Sequence, residues 1–193
     1  MSEKSVEIPS IELLEQELKK ERHKNTYGRV LKSTIFSLLV VAAVAVIIAV
    51  MVMPVLQITG SSMEQTLYDG DIVAAVNGSK YKSGDVIAFY FNNNILIKRV
   101  IAVSGDWVDI DEDGNVFVNG EQIDEPYISE KAKGDCNITL PYQVPDGRCF
   151  VMGDHRATSI DSRNTAVGCI SDEMVVGKLL LRVWPLSKLG VIQ

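Results

Sequence analysis

Ser61 and Ser62 stand side by side in ITGSSMEQTL, residues 58–67, with Gly60 before them, Met63 after them, and no charge until Glu64. A hydroxyl in so small and neutral a setting is a candidate nucleophile, inert until a base takes its proton. A candidate base lies in ILIKRVIAV, residues 95–103, where Lys98 and Arg99 interrupt an otherwise apolar run. In a strand, Lys98 shares a face with Leu96 and Val100, and Arg99 shares the other with Ile97 and Ile101. Burial among aliphatic groups disfavours an ammonium and lowers its pKa, leaving an amine able to accept a proton. The alternative for Lys98 is a side chain snorkelling from an edge strand. A third segment, VMGDHRATSIDSR at residues 151–163, packs Asp154, His155, Arg156, Ser159, Asp161, Ser162 and Arg163 behind an apolar strand. Such a loop is either a solvated turn or, through Asp161 and Arg163, an ion-paired support that holds a catalytic geometry.

These groups need elements to position them. From residue 33 to residue 63 there is no Asp, Glu, Lys, Arg or His. The apolar part exceeds the roughly 20 residues that cross a bilayer, and it is longer than the core of a cleaved signal sequence. A transmembrane signal-anchor helix is therefore expected at residues 33–56. Seven basic residues, among them Lys19, Lys20, Arg22, Lys24, Arg29 and Lys32, precede it, and the next is Lys80. That asymmetry predicts a cytoplasmic segment at 1–32 and an extracytoplasmic domain at 57–193. In the first segment, Ser10 can cap a short helix over IELLEQELKKERHK.

Beyond the span, short β-branched and aromatic runs alternate with turn signals such as Asn77-Gly78, Ser104-Gly105 and Asn119-Gly120. They predict a mainly β domain of antiparallel sheets, with a smaller subdomain near 105–148. Residues 57–193 hold 12 basic and 19 acidic groups, a balance that argues against nucleic acid as partner. Cys136, Cys149 and Cys169 are odd in number and have no metal-ligand spacing, so at most one intramolecular bridge can form.

Together the segments resemble the type I signal peptidases, membrane-bound proteases that use a Ser/Lys pair. The family's Ser-Met-x-Pro-Thr-Leu is similar to Ser62-Met63-Glu64-Gln65-Thr66-Leu67, and its Lys-Arg strand to Lys98-Arg99-Val100. Its Gly-Asp-Asn-Arg-x-x-Ser-x-Asp-Ser-Arg is similar to residues 153–163, with His155 in place of the Asn. Weaker Gly-Asp-x-Val motifs resemble Gly70-Asp71-Ile72-Val73 and Gly84-Asp85-Val86-Ile87. The resemblance implies a signal-peptidase-like β fold with Ser62 as nucleophile and Lys98 as general base. It further implies that Ser159 orients the lysine, that Asp161 and Arg163 are a supporting pair, and that Met63 contacts substrate. No metal or organic cofactor is implied. The implied partners are signal-peptide-bearing preproteins, cut after small residues at −1 and −3, the lipid bilayer, and a nearby secretion translocon.

Gln65 stands where the family has Pro, which removes a fixed φ from the turn after the nucleophile. Gly60 stands where some members have an oxyanion-binding serine, so backbone N–H groups, including that of Ser62, are expected to serve instead. If the span ends near Leu56, Ser62 lies within roughly 20 Å of the membrane face along the chain. Competing readings are a non-catalytic factor of the same fold in pilus or surface-protein assembly, a self-cleaving repressor-type Ser/Lys protease, and a Ser/His hydrolase using His155.

Overall fold

A computed structural model describes residues 10–78 and 80–192. The chain divides into two compact units, with the boundary between Ala49 and Val50. One helix, α1, runs through Ile11–Val52. It opens where the carbonyl of Ser10 accepts the amides of Leu13 and Leu14, at 3.0 and 3.1 Å. No separate juxtamembrane helix forms, because residues 11–52 contain no proline and only Gly28 as a weak breaker. Within α1, Tyr27–Val52 is long and apolar enough to cross a membrane. At 1.5 Å per residue its 26 residues span about 39 Å, against about 30 Å of hydrocarbon. Its large apolar side chains, among them Phe36, Leu38, Leu39 and Ile47, are exposed. The helix stops at Val52 rather than Leu56. Pro54 has no N–H to donate and pushes Met53 out of helical geometry. Val55–Gln57 becomes strand β1 instead.

The second unit is two antiparallel sheets. The larger comprises β1, β2 (Ile72–Val76), β3 (Val86–Phe91), β4 (Asn94–Ala102), β9 (Arg148–Met152), β10 (Ile170–Ser171), β11 (Val175–Trp184) and β12 (Gly190–Val191). Its order is β1-β2-β11-β3-β4-β9-β10, with β12 also on β11. The smaller has the order β7-β6-β5-β8, from β5 (Trp107–Ile110), β6 (Val116–Val118), β7 (Glu121–Gln122) and β8 (Tyr142–Gln143). It falls within the stretch expected to form a subdomain.

Its core is continuous with that of the larger sheet, since Val108, Ile110 and Val116 pack with Ile101, Phe150 and Met152. A second cluster gathers Ile58, Met63 and Leu67 against Val73, Val86, Ala88 and Leu179. The segment carrying the paired serines is thus nailed to the sheet by apolar side chains on both sides of Ser62. β4 is an interior strand, hydrogen-bonded to β3 and β9. Lys98 and Arg99 therefore lie inside the protein, and the snorkelling alternative does not hold.

Candidate active site

The nucleophile candidate sits on a tight turn. Glu64 N donates to Ser61 O at 3.0 Å, and Leu67 N donates to Met63 O at 2.7 Å. Met63 and Leu67 are 3% and 0% exposed, so the turn is anchored in the core while Ser62 is left at its crest. Two backbone features shape it. Gly60 has a φ of +91°, and its N–H is held by Asp69 Oδ1 at 2.9 Å. Gln65 has a φ of +89°, which proline cannot adopt. The residue that departs from the family motif is thus held in a left-handed conformation, where a loosened version of the proline turn was expected.

Lys98 Nζ donates a hydrogen bond to Ser62 Oγ at 2.6 Å across 36 residues of sequence. Burial pushes the Lys98 amine below its ordinary value; Asp161 and Asp154 oppose that shift, and Arg163 reinforces it. A depressed amine on a serine hydroxyl can take that hydroxyl's proton. His155 does not compete for it. Its ring lies against Glu64, Nδ1 to Oε2 at 3.6 Å, and only its backbone N–H meets Ser62, donating to the carbonyl at 3.1 Å.

Asp161 and Arg163 form the closed pair that their spacing suggested. Arg163 Nε donates to Oδ1 at 2.9 Å and Nη2 to Oδ2 at 2.8 Å, both side chains being fully buried. Asp161 Oδ2 also accepts the Gly153 amide at 2.9 Å, which ties the pair to the chain leaving β9. Ser159 is buried here too, but its hydroxyl makes no hydrogen bond among the described residues and does not hold Lys98. The reason is close packing. A Cβ on Gly153 would lie 2.2 Å from Ser159 Oγ and 2.5 Å from the Ser62 carbonyl oxygen, so the hydroxyl is turned against the Gly153 backbone.

Three further contributors, Arg99, Thr66 and Arg156, stand in the motifs but carry no role in the sequence reading. Arg99 makes its own two-pronged pair with Asp154, at 2.9 and 2.8 Å, and donates to Gly84 O at 2.8 Å. Thr66 bridges that pair to the nucleophile turn, donating to Asp154 Oδ2 and accepting from Arg99 Nη2 at 3.1 Å. Arg156 pairs with Glu125, both fully buried. The adjacency of Arg99 to Lys98 was a usable signal for the first; nothing local marked Glu125.

Beside Ser62 opens a cleft of about 360 Å³, lined by Ile58, Gly60, Met63, Leu96, Ile97 and Lys98. Met63, expected to touch substrate, forms part of this wall. A neighbouring polar hollow of about 300 Å³ is bordered by Glu64, Gln65, Ser129, Glu130 and His155. A larger cavity, about 510 Å³, lies at Tyr81, Lys82 and Arg148 and contains none of the expected site residues. Cys149 and Cys169 are buried free thiols, the first pushed up to about 12 by that burial and so unreactive.

A buried lysine on a serine hydroxyl, with a cleft alongside, is an arrangement in which the amine could activate the hydroxyl as a nucleophile. Residues 31–184 match the family described as Signal peptidase, peptidase S26. Signal peptidase IB of Staphylococcus aureus (strain N315) is 38% identical over 176 residues, covering 80% of this chain and 90% of that protein. Signal peptidase I of Bacillus licheniformis is 31% identical over 175 residues, covering 82% and 93%. The crystal structure of a signal peptidase I from Enterococcus faecalis V583 superposes with a TM-score of 0.43 at 28% identity, covering 52% of this chain and 97% of that one. The chain belongs to the signal peptidase family, peptidase S26.

Proposed function

We propose that this protein is a signal peptidase I that removes signal peptides from exported preproteins through a Ser62–Lys98 pair. The observation that carries the reading is the 2.6 Å hydrogen bond between a buried, depressed amine and the Ser62 hydroxyl. Neutral Lys98 takes the proton of Ser62 as its oxygen attacks the scissile carbonyl, and the protonated amine then passes that proton to the leaving amino group. A water molecule, deprotonated by the same amine, hydrolyses the ester and restores Ser62. The Ser62 N–H has no acceptor among the described residues, which leaves it available to the oxyanion.

Asp161 and Arg163 hold the loop behind the lysine, while Ser159 lies buried beside Gly153 without a hydrogen bond to Lys98. The cleft between residues 57–63 and 94–98 suits an extended peptide whose alternate side chains point inward. Met63, Ile58 and Ile97 leave room there for small side chains at −1 and −3. The apolar helix suits a membrane anchor, and the basic residues before it favour a cytoplasmic N-terminus with catalysis outside; proximity to the secretion translocon is part of the same proposal. A non-catalytic assembly factor would have no use for a buried amine on a serine hydroxyl.

The test is cleavage, in detergent, of a preprotein bearing an Ala-x-Ala site, with the product N-terminus assigned by mass. Wild type cuts after the second Ala and Ser62→Ala does not, while Ser61→Ala retains most activity. Cleavage elsewhere, or a fully active Ser62→Ala, rejects the reading.

A further inference from the structure

Residues 123–134 leave β7 and return toward β8 with no helix or strand of their own. Such a segment is held by its contacts, and these converge on the active site. Glu125 is buried against Arg156. The Tyr127 ring lies under the Arg99 guanidinium at 3.8 Å, and its hydroxyl donates to Glu125 Oε1 at 3.1 Å. Ser129 Oγ accepts from Gln65 Nε2, on the turn that carries Ser62. The carbonyls of Ala132 and Lys133 accept from Arg163 Nη1 at 3.2 and 2.8 Å. Gly134, at a φ of +61°, passes so close that a Cβ there would lie 2.6 Å from both Arg163 Nη1 and the Arg156 carbonyl oxygen. On its other side, a Cβ on Gly114, in the β5–β6 turn, would meet the Ala132 backbone at 2.6 Å. The small sheet therefore presses this segment onto three guanidiniums and the nucleophile turn at once.

We infer that residues 123–134 are a positioning strap, with Tyr127 and Ser129 as its working contacts, fixing the arginine frame behind Lys98 and the turn that presents Ser62. The inference rests on Lys98 being the base. The charged groups acting on its amine are Asp154 and Asp161, which favour the ammonium, and Arg163, which opposes it. Arg99 holds Asp154, and Arg163 holds Asp161. When the strap lets the guanidiniums move, the two carboxylates are less neutralised, the ammonium is favoured, and the base is lost to protonation at a higher pH. A structural brace alone would lower stability without moving that limb.

The experiment measures kcat, KM, the pH profile and the melting temperature of the full chain in detergent. Tyr127→Leu is expected to lower kcat about tenfold with KM within about twofold, and to move the acid limb up by about half a pH unit. Tyr127→Phe, which keeps the ring over Arg99, restores the limb. Ser129→Ala, an exposed change, is expected to lower kcat about threefold with an unchanged melting temperature. A folded Tyr127→Leu with wild-type kcat and limb overturns the inference. If Tyr127→Leu does not fold, Ser129→Ala decides, and wild-type kcat there overturns it equally. Lys98→Met separates the two levels. If it cleaves normally, the Ser62–Lys98 reading fails; if it is dead while both strap variants behave as wild type, only the strap fails.

Discussion

Four cations lie buried among the described residues of the β unit, and they fall into two kinds. Arg99, Arg156 and Arg163 each face a carboxylate, from Asp154, Glu125 and Asp161. Lys98, embedded among them, has a neutral hydroxyl as its hydrogen-bond partner. A guanidinium cannot give up its proton and a carboxylate locks it in place, so the arginines are fixed charges. An amine with no carboxylate in contact keeps a net desolvation cost of being charged, only partly offset by Asp161 and Asp154, and that cost suits it to the proposed role of base. The same burial that fixes three charges in place lowers the pKa of the fourth group.

Exchanging the reactive cation should give the largest effect. Lys98→Met keeps length and suits its surroundings, yet removes the amine proposed to accept the Ser62 proton. Cleavage should fall by about 10³-fold or more, near the upper part of what general-base catalysis contributes. The same variant should melt at a higher temperature than wild type at neutral pH. Folding lowers the Lys98 pKa, so the unfolded chain binds more protons, and wild-type stability rises with pH up to the unfolded value near 10.5. The advantage of Lys98→Met should therefore shrink as pH approaches that value. A melting gap that grows with pH reverses the sign and removes the desolvated base.

Breaking a fixed pair should act on stability first. Asp161→Asn leaves Arg163 buried with a neutral partner and should cost about 3–5 kcal/mol in denaturant unfolding. An equal cost for Lys98→Met would erase the distinction between the two kinds of cation.

Gln65→Pro probes the turn between frame and nucleophile. It installs the residue of the resembling motif, yet a φ of +89° is closed to proline. More than about 1 kcal/mol of stability and most of the cleavage activity should be lost. Unchanged activity would show that the turn adopts the proline geometry. His155→Asn should have the smallest effect, within about threefold in kcat/KM, because its ring faces Glu64 and contributes nothing to Ser62.

Much of this was legible because it is local. Asp161 and Arg163 are two residues apart, and alternation in β4 marked Lys98 and Arg99 as misfits in an apolar run. The unbroken span from residue 33 announced a helix, and the spaced turn residues announced strands. What was hidden depends on distant partners or on backbone torsions. Glu125 finds Arg156 across 31 residues, and no periodicity in a turn-rich acidic stretch predicts that meeting. The end of α1 at Val52 was missed because Met53–Leu56 continues the apolar run, and hydropathy does not register proline's missing donor. The orientation of Ser159 follows from a backbone approach at Gly153, which composition does not encode. Tyr127 reads as one aromatic among turn residues until Arg99 is seen above it.

The strap also dictates an order of events. Ser62 and Lys98 lie 36 residues apart, and the frame around them closes only when residues 123–134 and 153–163 are both in place. Contacts of such separation form late in folding, after local hairpins, because a long loop must be closed before it is rewarded. A partly made chain, or one whose small sheet has not docked, therefore holds a serine without a positioned base. On the proposed mechanism, the activated hydroxyl arrives only with the last long-range contacts, and a chain still unfolded enough to be cut presents none.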